Sequence, residues 1–129
     1  MEVVDFDSSH LEAVIELCSR EGWPTLPADR ARALRILTSP GSKAVVAVGD
    51  EGVLGFCQVL SDGEVQAYCS LLLVRLESRG RGLGRRLLFE AVRRAGGSRV
   101  DLLAEEGAVP FYRALPSREW VGFRVYPAG

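Results

Sequence analysis

The segment from Val65 to Val74 is apolar on both faces that a strand would present, which fits the middle of a sheet covered on either side. It leads into Arg79-Gly80-Arg81-Gly82-Leu83-Gly84, and from there into Leu83, Leu87, Leu88, Ala91 and Val92, spaced as one apolar stripe of a helix. A buried strand, a glycine-rich turn and an amphipathic helix in direct succession point to a layered α/β architecture. Three glycines within five residues are a costly way to begin a helix unless backbone has to approach something closely. A helix N-terminus carries several unpaired N–H groups and about half a positive charge, which together suit an anion. Arg79, Arg81 and Arg85 add planar donors matched to phosphate oxygens. The expected object is a strand-loop-helix cradle for a diphosphate.

The remaining pattern agrees with one mixed α/β domain of 129 residues. Val3-Val4-Asp5-Phe6 reads as a strand. Ser9 and Glu12 have capping-box spacing, and Leu11, Val14, Ile15 and Cys18 continue a first helix to about Arg20. Gly22-Trp23-Pro24 ends it, and Ala31, Leu34 and Leu37 mark the apolar side of a second helix. Strands follow at Ala44–Val48, Val53–Leu60 and Val65–Val74, separated by Gly49-Asp50-Glu51-Gly52 and Ser61-Asp62-Gly63. After the glycine-rich helix come a strand at Arg99–Leu103, a short helix at Ala108–Leu115 and a last strand at Val121–Tyr126. The predicted order is β-α-α-β-β-β-α-β-α-β.

Composition excludes several classes. A formal charge of −1 gives no global attraction to nucleic acid or anionic membrane. The arginines of the loop lack the interleaved aromatics that single-stranded RNA stacks on. Cys18, Cys57 and Cys69 form no C-x-x-C pair, and no His, Cys and carboxylate set has metal-ligand spacing. The start Met1-Glu2-Val3-Val4-Asp5 lacks the order of a signal peptide, so a cytoplasmic location is expected.

A Rossmann fingerprint would need glycine where Arg85 stands, and a Walker loop needs Gly-Lys-Ser/Thr. The stretch instead resembles the signature of the GNAT superfamily of N-acetyltransferases, Gln/Arg-x-x-Gly-x-Gly/Ala, matched by Arg79, Gly82 and Gly84. Ala108-Val109-Pro110-Phe111-Tyr112 is similar to the family's downstream A-x-x-F-Y. The resemblance implies the GNAT fold and an acetyl-CoA cofactor, with the acetyl group passing directly to a primary amine of an unidentified small-molecule or peptide acceptor. It implies that the loop Arg79, Gly80, Arg81, Gly82, Leu83, Gly84 and Arg85 binds the CoA pyrophosphate. The main chain of Leu72 and Val74 would pair with the pantetheine arm as an added strand does.

By the same resemblance Tyr112 would protonate the departing thiolate, a role open to a phenol with an ordinary pKa near 10. The family's base positions fall on Tyr68 and Ser70, with Glu64 a further step along that face and acting through water. Trp23 lies where relatives line the acceptor site, as lid or as core. Three departures concern the acceptor side: Glu105 in place of asparagine, Pro116–Val121 inserted before Gly122-Phe123, and an ending after a single strand. That ending would leave a sheet edge through which two copies could form a homodimer. A GNAT-like module that binds acyl-CoA as a sensor or partner domain without turnover is the alternative reading.

Overall fold

The computed structural model describes all 129 residues. In chain order the elements are β1 (Glu2–Asp5), α1 (Leu11–Arg20), α2 (Thr25–Ala28), α3 (Arg30–Thr38), β2 (Ser42–Gly49) and β3 (Gly52–Ser61). They continue with β4 (Gln66–Val74), α4 (Leu83–Ala95), β5 (Arg99–Asp101) and α5 (Val109–Arg113). The five strands lie in the order β1-β2-β3-β4-β5, antiparallel except for β5, which runs parallel to β4.

Helices cover both faces of the sheet. Leu83, Leu87, Leu88 and Ala91 of α4 are buried on one face against Val45, Cys57, Val59, Ala67 and Cys69. Val14, Ile15, Leu17 and Cys18 of α1, with Ala33 and Leu37 of α3, are buried on the other against Val46, Phe56 and Leu73. Each fully buried leucine of the α4 stripe contributes about 2 kcal/mol by leaving water, enough to hold that helix on the sheet.

β4 serves both cores through one irregularity. Val59 pairs with Cys69 while Gln58 pairs with Leu71, so Ser70 has no opposite residue and forms a β-bulge. Side chains alternate along a strand, and one extra residue inverts the alternation. Before the bulge, Ala67 and Cys69 face α4; beyond it Leu72 and Val74 pack on that side, while Leu71 and Leu73 turn to α1 and α3. The apolar character of both faces of this strand thus has a geometric basis.

Several sequence expectations are corrected. Ser9 and Glu12 do not form the capping box. A 3-10 turn at Ser8–His10 precedes α1, and Asp7 is its cap: Asp7 Oδ1 accepts from Ser9 N–H at 2.8 Å and His10 Nδ1 from Asp7 N–H at 3.1 Å. Glu12 is freed to accept from Arg30 at 2.6 and 3.0 Å. The stripe of α3 is Ala33, Ile36 and Leu37 rather than Ala31, Leu34 and Leu37, since Ala31 is exposed. Buried Gln58 holds the end of that helix, donating to Ile36 O at 2.8 Å and to Ser42 Oγ at 2.9 Å. The helix α2 was not foreseen.

The expected last strand at Val121–Tyr126 is absent. No strand pairs with this stretch, and no amide from Ser117 to Ala128 donates to another backbone carbonyl, although the Arg124 side chain reaches Tyr68 of β4. The observed order is therefore β-α-α-α-β-β-β-α-β-α, ending in an exposed segment without helix or strand. No helix is long and apolar enough to cross a membrane.

Candidate active site

The loop after β4 carries left-handed glycines and a row of unpaired backbone amides. Gly80 and Gly82 have φ of +80° and +79°, a left-handed conformation that costs a residue with a Cβ about 1–2 kcal/mol. A Cβ at either position would meet no protein atom within 4 Å, so both point into open space. Gly82 is the N-cap of α4, and the first helical bond runs from Arg86 N–H to Gly82 O at 3.1 Å. The amides from Gly80 to Arg85 donate to no group of the protein. Gly84 has a different reason to lack a side chain. A Cβ there would stand 3.2 Å from the Phe111 ring and 3.7 Å from Val74 Cγ2, so this glycine lets α5 pack against the start of α4.

Beside the cradle the sheet is open. β5 pairs with β4 only from Gln66↔Arg99 to Tyr68↔Asp101, whereas β3 accompanies β4 as far as Val74. Val74 O points to the unpaired edge and accepts from Arg79 Nε at 2.8 Å, while Arg75 N–H turns inward to Leu54 O at 2.8 Å. Backbone direction alternates along a strand, so the amide and carbonyl of Leu72 share the free edge with those of Val74. An extended ligand with amides of its own fits that edge as an additional strand would.

Tyr112 of α5 is half-buried, packs on the α4-side core and meets Phe111 edge-on at 4.9 Å between ring centres. Burial, then the neighbouring thiols of Cys69 and Cys57, hold its hydroxyl well above the usual phenol range. Those thiols are 3.9 Å apart in the core, and Cys57 is raised by its contact with Cys69 and by burial. Cys69 immediately precedes the bulge, so Tyr112 stands where β4 and β5 part.

The other residues singled out from the sequence fall in several places. Arg79 turns from the cradle, its guanidinium paired with Glu21 at the end of α1 and bonded to Val74 O. Arg81 is exposed, and Arg85 stacks over the Phe89 ring at 4.9 Å. Leu83, the first residue of α4, is buried, so only its amide faces the loop. Tyr68 and Ser70 lie on β4, at the last residue paired with β5 and at the bulge.

Glu64 is outside the strand. Asp62 Oδ1 accepts from the amides of Glu64 and Val65 at 2.8 Å, and this turn removes Glu64 from the alternating face on which it was placed. Trp23 is half-buried against the core under α1 and α3. His10 serves the cap before α1, and Glu105 stands at the start of a 3-10 turn ahead of α5 without a side-chain bond to it. Arg94 is committed to Asp5 Oδ1 and Val3 O, both at 2.9 Å, and Arg93 to Glu90 at 2.7 Å.

Sequence reasoning missed three features. Glu21 carries no motif, since its role exists only once α1 has met the cradle. The bulge depends on pairing with β3 and leaves no local signature. The Cys57–Cys69 contact arises from that same pairing.

Comparisons with known proteins agree with this arrangement. An acetyltransferase from Trypanosoma brucei superposes with a TM-score of 0.74 at 22% identity, over 97% of this chain and 98% of its own. A transcriptional regulator from Bacillus halodurans C-125 gives 0.77 at 20% identity, over 97% and 98%. An aminoglycoside acetyltransferase from an uncultured soil metagenomic sample gives 0.74 at 20%, over 98% and 97%. At these identities the likeness is one of fold. No curated protein matches the chain in sequence. The family model for the acetyltransferase (GNAT) domain, however, matches residues 40–115, a span that runs from β2 through the open strand edge and the cradle to the end of the Tyr112 helix, and the chain belongs to that family.

Proposed function

We propose that this chain transfers an acetyl group from acetyl-CoA to a primary amine by direct attack, without an acyl-enzyme. One observation carries the cofactor part: the amides from Gly80 to Arg85, free of protein partners, adjoin the unpaired edge of β4. When bound, acetyl-CoA supplies an activated acyl carbonyl on a thiol leaving group. The loop amides hold the diphosphate, with Arg81 and Arg85 adding charge at its rim. The free edge at Leu72 and Val74 aligns the amide-bearing arm and carries its acyl end toward Ser70.

There a nitrogen–carbon bond would replace the carbon–sulfur bond, the leaving sulfur would take the proton of Tyr112, and the proton shed by the acylated nitrogen would return through water to Tyr112. A hydroxyl held above the usual phenol range stays protonated through neutral and mildly alkaline pH but is a weaker acid than a free phenol, so its transfer depends on the charge that develops on the sulfur. The attacking amine must first lose its own proton. Tyr68 and Ser70 are the nearest residues on β4 to guide it to water. Trp23 is assigned to the acceptor side, as a wall of the core beneath it.

The alternative is a module that binds acyl-CoA without turnover. It gains weight from the roles already taken by two titratable residues: Glu64 sits in the Asp62 turn and His10 in a helix cap. Thiol release from acetyl-CoA against a panel of amines decides between the readings. The panel includes an aminoglycoside, because one fold neighbour acetylates that class. Release with any amine supports the enzyme; CoA binding with no release on any acceptor supports the sensor. Failure to bind acetyl-CoA defeats both, and Gly82→Glu, which brings bulk and negative charge into the cradle, is expected to abolish binding in either case.

A further inference from the structure

Arg79 has the charge and the position to bind a diphosphate, yet its guanidinium is held away from the cradle. Its backbone joins Gly80, whose amide is the first of those left free in the loop. The side chain runs back to β4, where Nε donates to Val74 O at 2.8 Å, and across to α1, where Nη2 pairs with Glu21. Planar donors of this kind suit phosphate oxygens, so the outward turn needs a cause. The cause on this side is one carboxylate.

Glu21 is placed by a rigid element. It is the C-cap of α1, its amide donates to Leu17 O at 3.2 Å, and Leu17 and Cys18 before it are buried in the core. A carboxylate at a helix C-terminus meets the partial negative charge of that end, an unfavourable contact that the Arg79 guanidinium offsets. Arg20, Glu21, Arg75 and Glu77 line one cleft of about 150 Å³ between the ends of α1 and β4. Glu77, the other carboxylate of that cleft, is taken by Arg75 at 3.1 Å. Glu16, one turn back on α1, is taken by Arg20 at 2.8 Å. With Glu21 neutralised, Arg79 therefore finds no unpaired carboxylate here, and a dianion in the adjoining cradle becomes its strongest partner.

We infer that Glu21 is a positioning residue of the acyl-donor site: through Arg79 it keeps a guanidinium on Val74 O and off the diphosphate, which sets how tightly the coenzyme is held. The inference rests on the proposed binding of acetyl-CoA at this loop. The diphosphate is then held by backbone amides, with Arg81 and Arg85 at the rim. Val74 O is withheld from the arm, so an added strand pairs no further along β4 than the Val74 amide. A guanidinium released onto the diphosphate would hold donor and product alike. Such uniform binding does nothing for the chemical step and slows the departure of CoA.

Calorimetric titration of the full chain with CoA tests the inference on four proteins: wild type, Glu21→Gln, Arg79→Gln and the double variant. Glu21→Gln keeps the shape of the side chain and removes its charge. It should bind CoA about fivefold more tightly than the wild type, the scale of an exposed charge pair. In the Arg79→Gln background the same change should alter affinity by less than about twofold, since no guanidinium is left to release. That comparison separates positioning from a general field effect, because removal of a negative charge near a dianion would help equally in both backgrounds. The two side chains are 44% and 34% exposed, so their pairing adds little to stability and the four proteins should melt within about 4 °C of one another. Unchanged or weaker CoA binding by Glu21→Gln overturns the inference, and so does an equal gain in both backgrounds. A wild type that binds neither CoA nor acetyl-CoA is a separate result, which removes the proposed function and this inference with it.

Discussion

Replacing Gly82 by alanine tests two separable properties of the cradle. The new methyl group meets no protein atom within 4 Å, so packing makes no contribution. What remains is the backbone: φ of +79° costs an L-residue about 1–2 kcal/mol, and for a domain of this size 1 kcal/mol lowers Tm by about 4 °C. If the chain relaxes instead of bearing the strain, the amides at the start of α4 turn out of line. Each hydrogen bond to a charged group is worth about 1.5–3 kcal/mol, so losing one weakens acetyl-CoA binding by about 10- to 100-fold. Calorimetric titration with CoA and thermal melting of the unliganded protein read the two effects independently. A fall in Tm with unchanged affinity would mean that the strain is borne and the amides stay in line. An unchanged Tm together with an unchanged affinity would refute the conformational argument for glycine at this position.

Tyr112→Phe should lower kcat by about 100-fold, in the range for loss of a general acid, and leave KM for the acyl donor nearly unchanged. Since the hydroxyl is held above the usual phenol value, the wild-type rate should show no alkaline limb from Tyr112 up to about pH 10; a limb below that, absent from the variant, would contradict the burial argument. Asp5→Asn removes a carboxylate that Arg94 holds below its ordinary range. A lowered pKa contributes stability above the unfolded value near 3.8 that fades as pH falls through the folded value, so urea melts should differ at pH 7 and converge in acid below about pH 4. The Asp5 carboxylate is largely exposed, so the difference at pH 7 should be about 0.5 kcal/mol.

The sequence disclosed best what short-range periodicity encodes. The stripe Leu83, Leu87, Leu88 and Ala91 needs only a regular helix to become one buried face, and so the helix beyond the glycine loop was legible. The glycines of that loop were legible too, because left-handed backbone is cheap for them and dear for other residues. Ser70 shows where such reading stops: a bulge is a relation between two strands. Glu64 was assigned by extending the alternation of β4 backward through a turn that Asp62 organises. The residues from Val121 to Tyr126 have the local preferences of a strand, yet a strand exists only beside another, and the chain offers none there. Glu21 reached the site through the packing of α1, which local patterning does not report.

The arginine strut at position 94 has a bearing on how the molecule assembles. Val3 and Asp5 are synthesised before the guanidinium that clasps them, which follows some ninety residues later. Until then the amino-terminal ribbon depends on its neighbour in the sheet alone, so its docking belongs among the slower, long-range closures of the chain. The clasp on β1 thus closes a contact of long sequence separation, the kind that is slow to form.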